Sequence, residues 1–210
     1  MGEGSEAARA RVAPVSPAPV AADAGGGPVV HRAAQARIIA AALGLFARHG
    51  VGGTSLGMIA DEIGVTKAAV YHQFKTKDEI VLAAAEAELA RLRAVVDEAE
   101  AQPTRKRARD TLITGIVALA VESRHSMGVV LRDPVIVGFF TDHKEFQHTM
   151  DRMCRLLVGD ATTHEARVSA AMLIAAISGA VMHPFVAGLD DATLRAQLEQ
   201  LARRFLRLPG

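Results

Sequence analysis

The chain has 210 residues, half of them hydrophobic, and its 24 Lys and Arg against 23 Asp and Glu leave a net charge of +1. That length holds one sizeable domain, or a small and a medium one, and the apolar share suffices for a filled core. Aromatic residues make up only 4% while Ala, Leu and Arg abound, which favours helix over sheet. The single cysteine, Cys154, excludes an internal disulfide and fits a reducing cytoplasm.

Residues 1–30 are expected to form a disordered tail. Pro14, Pro17, Pro19 and Pro28, with Gly25, Gly26 and Gly27, block regular structure. No continuous apolar run there suggests a signal peptide. Arg9 and Arg11 are its only positive charges, too few for a basic arm reaching the minor groove.

Order is expected from Arg32. Ile39, Ala42, Leu43 and Phe46 recur at helical spacing, and Gly50 with Gly52 and Gly53 marks the end of that helix. Thr54 or Ser55 then caps a second helix whose inner face is Leu56, Ile59, Ala60 and Ile63. Gly64 takes the turn, where a left-handed backbone suits glycine. Thr66 caps a third helix with Val70 and Phe74 inward. Two short helices joined by a tight turn have the layout of a helix-turn-helix, whose second helix enters the DNA major groove. Residues 31–80 carry six basic and four acidic groups. This excess of two positive charges permits DNA binding without demanding it.

Thr76, Lys77, Asp78 and Glu79 match a capping box and start a fourth helix to about Glu100. Such a helix is long enough to link one domain rigidly to another. Pro103 and the basic run Arg105-Lys106-Arg107 open the next segment, with an apolar stretch from Leu112 to Val121. Asp133-Pro134 is a further helix start, with Asp at the cap and Pro in the first turn. Asp142 with Glu145 begins another helix, carrying Phe146, Met150, Met153 and Leu157. Thr162 and Glu165 open a helix rich in small residues. Leu194, Leu198, Leu201, Phe205 and Leu208 form an apolar stripe at intervals of four and three. Between Arg167 and Asp190 lie twenty-two residues without a formal charge. His183-Pro184 interrupts them, and Val168 to Met182 would be only about 22 Å long as a helix, short of a ~30 Å membrane core. A buried helix is the expectation.

The string from Ile59 to Phe74, IADEIGVTKAAVYHQF, continuing Lys75-Thr76-Lys77, resembles the N-terminal signature of the TetR family of bacterial transcriptional regulators. The likeness covers residues 32 to about 80 at motif level and extends beyond only as length and helical architecture. It implies an all-α fold with a tail over 1–30, a three-helix DNA-binding domain over 31–76, and a helical ligand-binding and dimerisation domain over 77–210. It also implies a cytoplasmic, non-enzymatic regulator: a repressor that binds palindromic operator DNA as a homodimer and is released by a small apolar effector. Thr54, Lys67, Tyr71, His72 and Lys77 match positions that touch DNA phosphates or backbone. Thr66, Ala68 and Ala69 lie where the recognition helix faces base edges. Many relatives carry a hydroxyl or longer polar residue near position 69. Alanine can touch a thymine methyl but offers no bidentate hydrogen bond, so the operator sequence is not readable from these residues.

For the C-terminal half, the resemblance implies a dimer seam and an effector pocket. The 162–187 segment, with its small residues, and the 191–207 segment, with its leucine stripe, are the candidate seam, pairing as a four-helix bundle. Met127, Leu131, Phe139, Phe140, Phe146, Met150, Met153, Met172 and Phe185 are candidate apolar lining, and His125, His143, His148 and His183 candidate polar contacts. No metal or cofactor is expected: His143 and His148 are five apart and Cys154 has no CxxC partner. A nucleophile elbow, P-loop, dinucleotide fingerprint and HExxH are all absent from the sequence.

Overall fold

The computed structural model describes residues 28–125, 136, 143–159 and 163–206. Among these it contains helices and no strand. They are α1 (Pro28–Gly53), α2 (Leu56–Ile63), α3 (Lys67–Gln73), α4 (Lys77–Glu100), α5 (Arg105–Ser123), α6 (Lys144–Val158), α7 (His164–Ala180) and α8 (Asp191–Phe205), with a 3-10 turn at Pro184–Val186. Residues 1–27 of the tail expected over 1–30, the Asp133-Pro134 helix start, and Met127, Leu131, Phe139, Phe140 and Leu208 lie outside the described residues.

The first helix begins earlier than its periodicity suggested. Pro28, read from sequence as a breaker of the tail, is its first residue. A proline fits there because the first-turn N–H has no intrahelical acceptor. At the other end the backbone leaves helical geometry at Gly50 (φ 72°, ψ 161°) and then resumes to Gly53. Ser55 caps α2 and its side chain accepts from the N–H of Met58; Gly64 ends α2 in the left-handed region (φ 67°, ψ 37°). Its N–H and that of Val65 return to the carbonyls of Asp61 and Ala60, so the turn closes on the last carbonyls of α2.

Thr66 caps α3, and its Oγ1 accepts from the N–H of Ala69 at 3.2 Å. Thr76 caps α4 with Oγ1 accepting from the N–H of Glu79 at 3.1 Å, while Glu79 reaches back to accept from the N–H of Lys75 at 2.6 Å. The capping residues of the later helices differ from the expected ones. His143, not Asp142, caps α6, its Nδ1 accepting from the N–H of Phe146 at 3.2 Å. Thr163, not Thr162, caps α7, and Glu165 stays in its first turn. In both places two neighbouring residues can accept from the first turn, and spacing alone does not separate them. The expected 162–187 helix stops at Ala180, and His183 caps the 3-10 turn that follows.

Packing builds two cores. The first contains Ile38, Ala42, Leu45 and Phe46 from α1, Leu56, Ile59 and Ala60 from α2, Val70 and Phe74 of the α3 region, and Ile80, Val81 and Ala85 from α4. Ile136 is fully buried in the same cluster. The second contains Val96 and Ala99 of α4 with Leu112, Ile113 and Val117 of α5, Met153 and Leu157 of α6, Leu173 and Ile177 of α7, and Leu194, Leu198 and Ala202 of α8. Helix α4 therefore belongs to both. In α8 the expected stripe shifts: Ala202 turns inward and Leu201 stands 55% exposed.

The Gly64 turn sets the angle between α2 and α3, and a Cβ there would meet no atom within 4 Å. The cost of Gly64→Ala is thus backbone strain alone, about 1–2 kcal/mol, and Gly64→Asn costs less. Urea denaturation midpoints of the three chains check this order.

Candidate nucleic-acid interface and effector cavity

Helix α3 is anchored by Val70, which is wholly buried, and by its cap residue Phe74 at 6% exposure. The rest of the short helix faces solvent. Thr66, Lys67, Ala68, Ala69, Tyr71 and His72 are all exposed. The Lys67 Nζ lies 5.6 Å from the centre of the Tyr71 ring, and His72 Nδ1 stands 3.4 Å from Gln73 Nε2. Lys75 Nζ donates to the carbonyl of Tyr71 at 2.7 Å, which covers one of the open carbonyls at the helix end. Six of the eight expected contact residues thus share one exposed surface. Its cation and phenol suit phosphate oxygens, and its two alanines suit a thymine methyl.

Thr54 and Lys77 are placed differently. Thr54 is 2% exposed, and its hydroxyl donates to the carbonyl of Gly50 at 2.9 Å. Lys77 Nζ donates to the carbonyls of Val51 and Gly52 at 2.7 and 3.2 Å. Both side chains close the end of α1 where the backbone departs from helix at Gly50. Lys77, the first residue of α4, thereby ties that helix to the α1–α2 junction, where Arg48 and Glu62 make a 2.8 Å ion pair.

A cavity of about 630 Å³ lies between α4, α5, α6 and α7. Leu89 and Leu92 of α4, Ile116, Leu119 and Ala120 of α5, Phe146, Met150 and Met153 of α6, and Ile174 and Ile177 of α7 give it apolar walls. Glu88, Ser123 and Ser178 are the polar groups among the described lining residues. Its size lies within the ~300–1,000 Å³ typical of small-molecule sites.

Of the expected effector contacts, Phe146, Met150 and Met153 line this cavity, while Phe185 is 92% exposed. His143 lies instead at the start of α6, with Nε2 2.9 Å from Glu86 Oε1. His125 is exposed and accepts from Arg124 Nε at 3.1 Å. Met172 points outward at 56% exposure, and His183 packs edge-on against Phe185, with ring centres 4.5 Å apart. The contacts that sequence reasoning missed come chiefly from α4 and α5. Their signal was present as Leu89 and Leu92 three apart and as Ile116, Leu119, Ala120 and Ser123 on one helical face.

Two sets of ion pairs flank the cavity, and both start from α4. Toward α6, Arg93 pairs with Glu145, and Arg152 bridges Asp97 and Glu100 at 2.6 Å each. The hydrogen bond from Arg152 holds the Glu100 carboxyl below its ordinary range. The bonds to Glu100 and then Asp97 push Arg152 above its own. The contribution of a carboxyl with a lowered value is complete at neutral pH and is lost as pH falls through that value. Toward α5 and α8, Arg91 joins Glu88 to Glu122, and Arg195 reaches the same Glu122 at 3.4 Å.

Residues 38–84 match the family model for bacterial regulatory proteins of the tetR family. A search of curated proteins returns no match. Solved structures match across most of the chain. A tetR-family regulatory protein from Rhodococcus RHA1 is 23% identical, covering 84% of this chain and 98% of its own with a TM-score of 0.64. The ketosteroid transcriptional regulator KstR2 of Mycobacterium tuberculosis is 16% identical, covering 82% and 92% with a TM-score of 0.63. AibR, solved in complex with isovaleryl coenzyme A and operator DNA, is 13% identical, covering 80% and 97% with a TM-score of 0.63. No helix among the described residues is long and apolar enough to cross a membrane. Residues 38–84 thus carry the signature of the DNA-binding domain of tetR-family bacterial regulatory proteins, and the chain shares the helical fold of these solved regulators over most of its length.

Proposed function

We propose that the chain is a ligand-responsive transcriptional repressor that binds palindromic operator DNA as a homodimer and is released by a small, largely apolar effector. One observation carries the reading. The helix that supplies one wall of the cavity, α4, is also part of the core that holds the helix-turn-helix. Residues 31–76 act as the DNA-binding unit and 77–210 as the sensing and dimerising unit. Thr66, Lys67, Ala68, Ala69, Tyr71 and His72 meet DNA, and the cavity between α4 and α7 takes the effector. AibR, whose complex holds both isovaleryl coenzyme A and operator DNA, supports the pairing of an effector with an operator on this fold.

In the mechanism, two α3 helices enter successive major grooves about 34 Å apart. A molecule entering the cavity pushes between α4 and its neighbours, and α4 carries the displacement to Ile80 and Val81 beneath the helix-turn-helix. A coupling of about 1–3 kcal/mol weakens operator binding about 5–150-fold. The second protomer covers the outer faces of α7 and α8, where Val168, Met172 and Leu201 are 56%, 56% and 55% exposed. Val168, Met172 and Gly179 fall on one side of α7, away from the inward Ala170, Leu173 and Ile177.

Two experiments test this reading. In a shift assay with promoter fragments from the neighbourhood of its own gene, the chain retains at least one fragment. Lys67→Ala weakens that binding and lowers the slope of log K against log salt by about 0.9 per protomer. Lys77→Ala lowers thermal stability as well, because its ammonium holds the end of α1. Retention of no fragment overturns the reading. The second experiment is size-exclusion chromatography with light scattering. The native chain runs as a dimer, and Met172→Glu with Leu201→Glu runs as a folded monomer with at least ten-fold weaker operator binding. A dimer that survives both changes places the seam elsewhere.

A further inference from the structure

The cavity is apolar on nearly every side, and Glu88 is the one charged side chain among the described residues that line it. A carboxylate facing an apolar space needs partners, because an unpaired charge there is costly. Glu88 has them. Its Oε1 accepts from Arg91 Nη1 at 3.1 Å, and its Oε2 accepts from Ser123 Oγ at 3.2 Å. Arg91 continues to Glu122, and Glu122 to Arg195. The chain thus holds two carboxylates and two guanidiniums, and its charge sums to zero.

This balance discriminates among effectors. An acid would set a second anion beside Glu88, with no cation among the described lining residues to meet it. A protonated amine would bring a positive charge that no remaining anion in the chain offsets. A neutral hydroxyl adds no charge, and a carboxylate has about four acceptor positions, so Glu88 can take another donor while keeping Arg91 and Ser123. A hydrogen bond to a charged acceptor is also stronger than one between neutral groups.

We propose that the cavity takes a neutral apolar molecule carrying one hydroxyl group, and that this hydroxyl donates to Glu88. The proposal rests on the cavity being the effector site. It also gives the effector a point of action, since Glu88 and Arg91 are the α4 end of the ion-pair chain that crosses to α5 and α8. A donor arriving at Glu88 binds the same carboxylate that holds Arg91, and so joins the effector to that crossing.

The test is displacement of the neutral fluorescent probe N-phenyl-1-naphthylamine from the full-length protein by decan-1-ol, decylamine and decanoate. These competitors share one alkyl chain and differ in the charge of the head group. Decan-1-ol is expected to displace the probe at about ten-fold lower concentration than either of the others. Glu88→Gln, which keeps the shape and removes the charge, is expected to bring the three within about three-fold, with its melting curve as the control for folding. The ranking on the native protein stands as a test even if that variant does not fold. Decanoate or decylamine matching decan-1-ol on the native protein overturns the proposal, as does a preference unchanged in Glu88→Gln. Probe bound and displaced equally by all three overturns this inference alone. Failure of the probe to gain fluorescence overturns the cavity reading with it.

Discussion

The sharing of one helix between two hydrophobic cores is the constraint on which the rest of the structure depends. Ile80, Val81 and Ala85 lie in the first core, and Val96 and Ala99 in the second. Helix α4 has 24 residues and is about 36 Å long. The side chains it gives to the cavity, from Ala85 to Leu92, fall between its two buried ends. The cavity therefore opens on α4 between its two cores, beside the buried Ala85 and Leu89. The first core has a second tie to the later part of the chain: Ile136, which falls between α5 and α6 in sequence, is wholly buried among residues of α1, α2 and α4.

What surrounds the middle of α4 is chemically different from what holds its ends. Burial of apolar side chains stabilises the ends by about 1.5–3 kcal/mol for each large residue. The flanks are held by ion pairs with partly exposed members, such as Arg91 with Glu122 and Arg93 with Glu145. Pairs of this kind contribute only about 0–1 kcal/mol each. They orient α4 against α5 and α6 without locking it. Strong anchoring at both ends and weak, exchangeable contacts between them suit a helix that transmits a displacement.

The features that sequence reading recovered are those written in local chemistry. Ser55 was one of two offered caps; Gly64, Thr66 and Thr76 mark their boundaries through side chains that act within one turn, and the inner faces of α2 and α3 follow from 3.6-residue spacing. The eight proposed DNA contacts were drawn from family positions, and the structure separates them by exposure. Thr54 turns its hydroxyl back to Gly50, four residues earlier, while Lys77 is engaged by α1 carbonyls far back in the sequence, a tertiary arrangement that no local pattern encodes. The cavity was harder to read for the same reason. Phe146 and Met150 were visible as large apolar residues, but Leu89, Leu92 and Ile116 differ from core leucines and isoleucines only in helical phase. Met172 shows the converse, since its helix turns it away from the space that its composition suggested.

Helix α7 brings the two proposed roles of the C-terminal half together. Ile174, Ile177 and Ser178 face the cavity, while Val168, Met172 and Gly179 lie on the side proposed as the dimer seam. The two surfaces adjoin along α7, since Ala175 lines the cavity and lies beside Val168 and Met172 on the helix. Close-packed interiors transmit displacement instead of absorbing it. Under the proposed mechanism, a molecule wedged between α4 and α7 would act in two directions, on the helix-turn-helix through α4 and on the proposed partner through α7. Operator binding by a dimer depends on the distance between two recognition helices as well as on their individual tilt. In that proposal, an effector shifting both faces of this cavity would change both quantities at once, and Leu89 and Ile177 are the positions through which it would act.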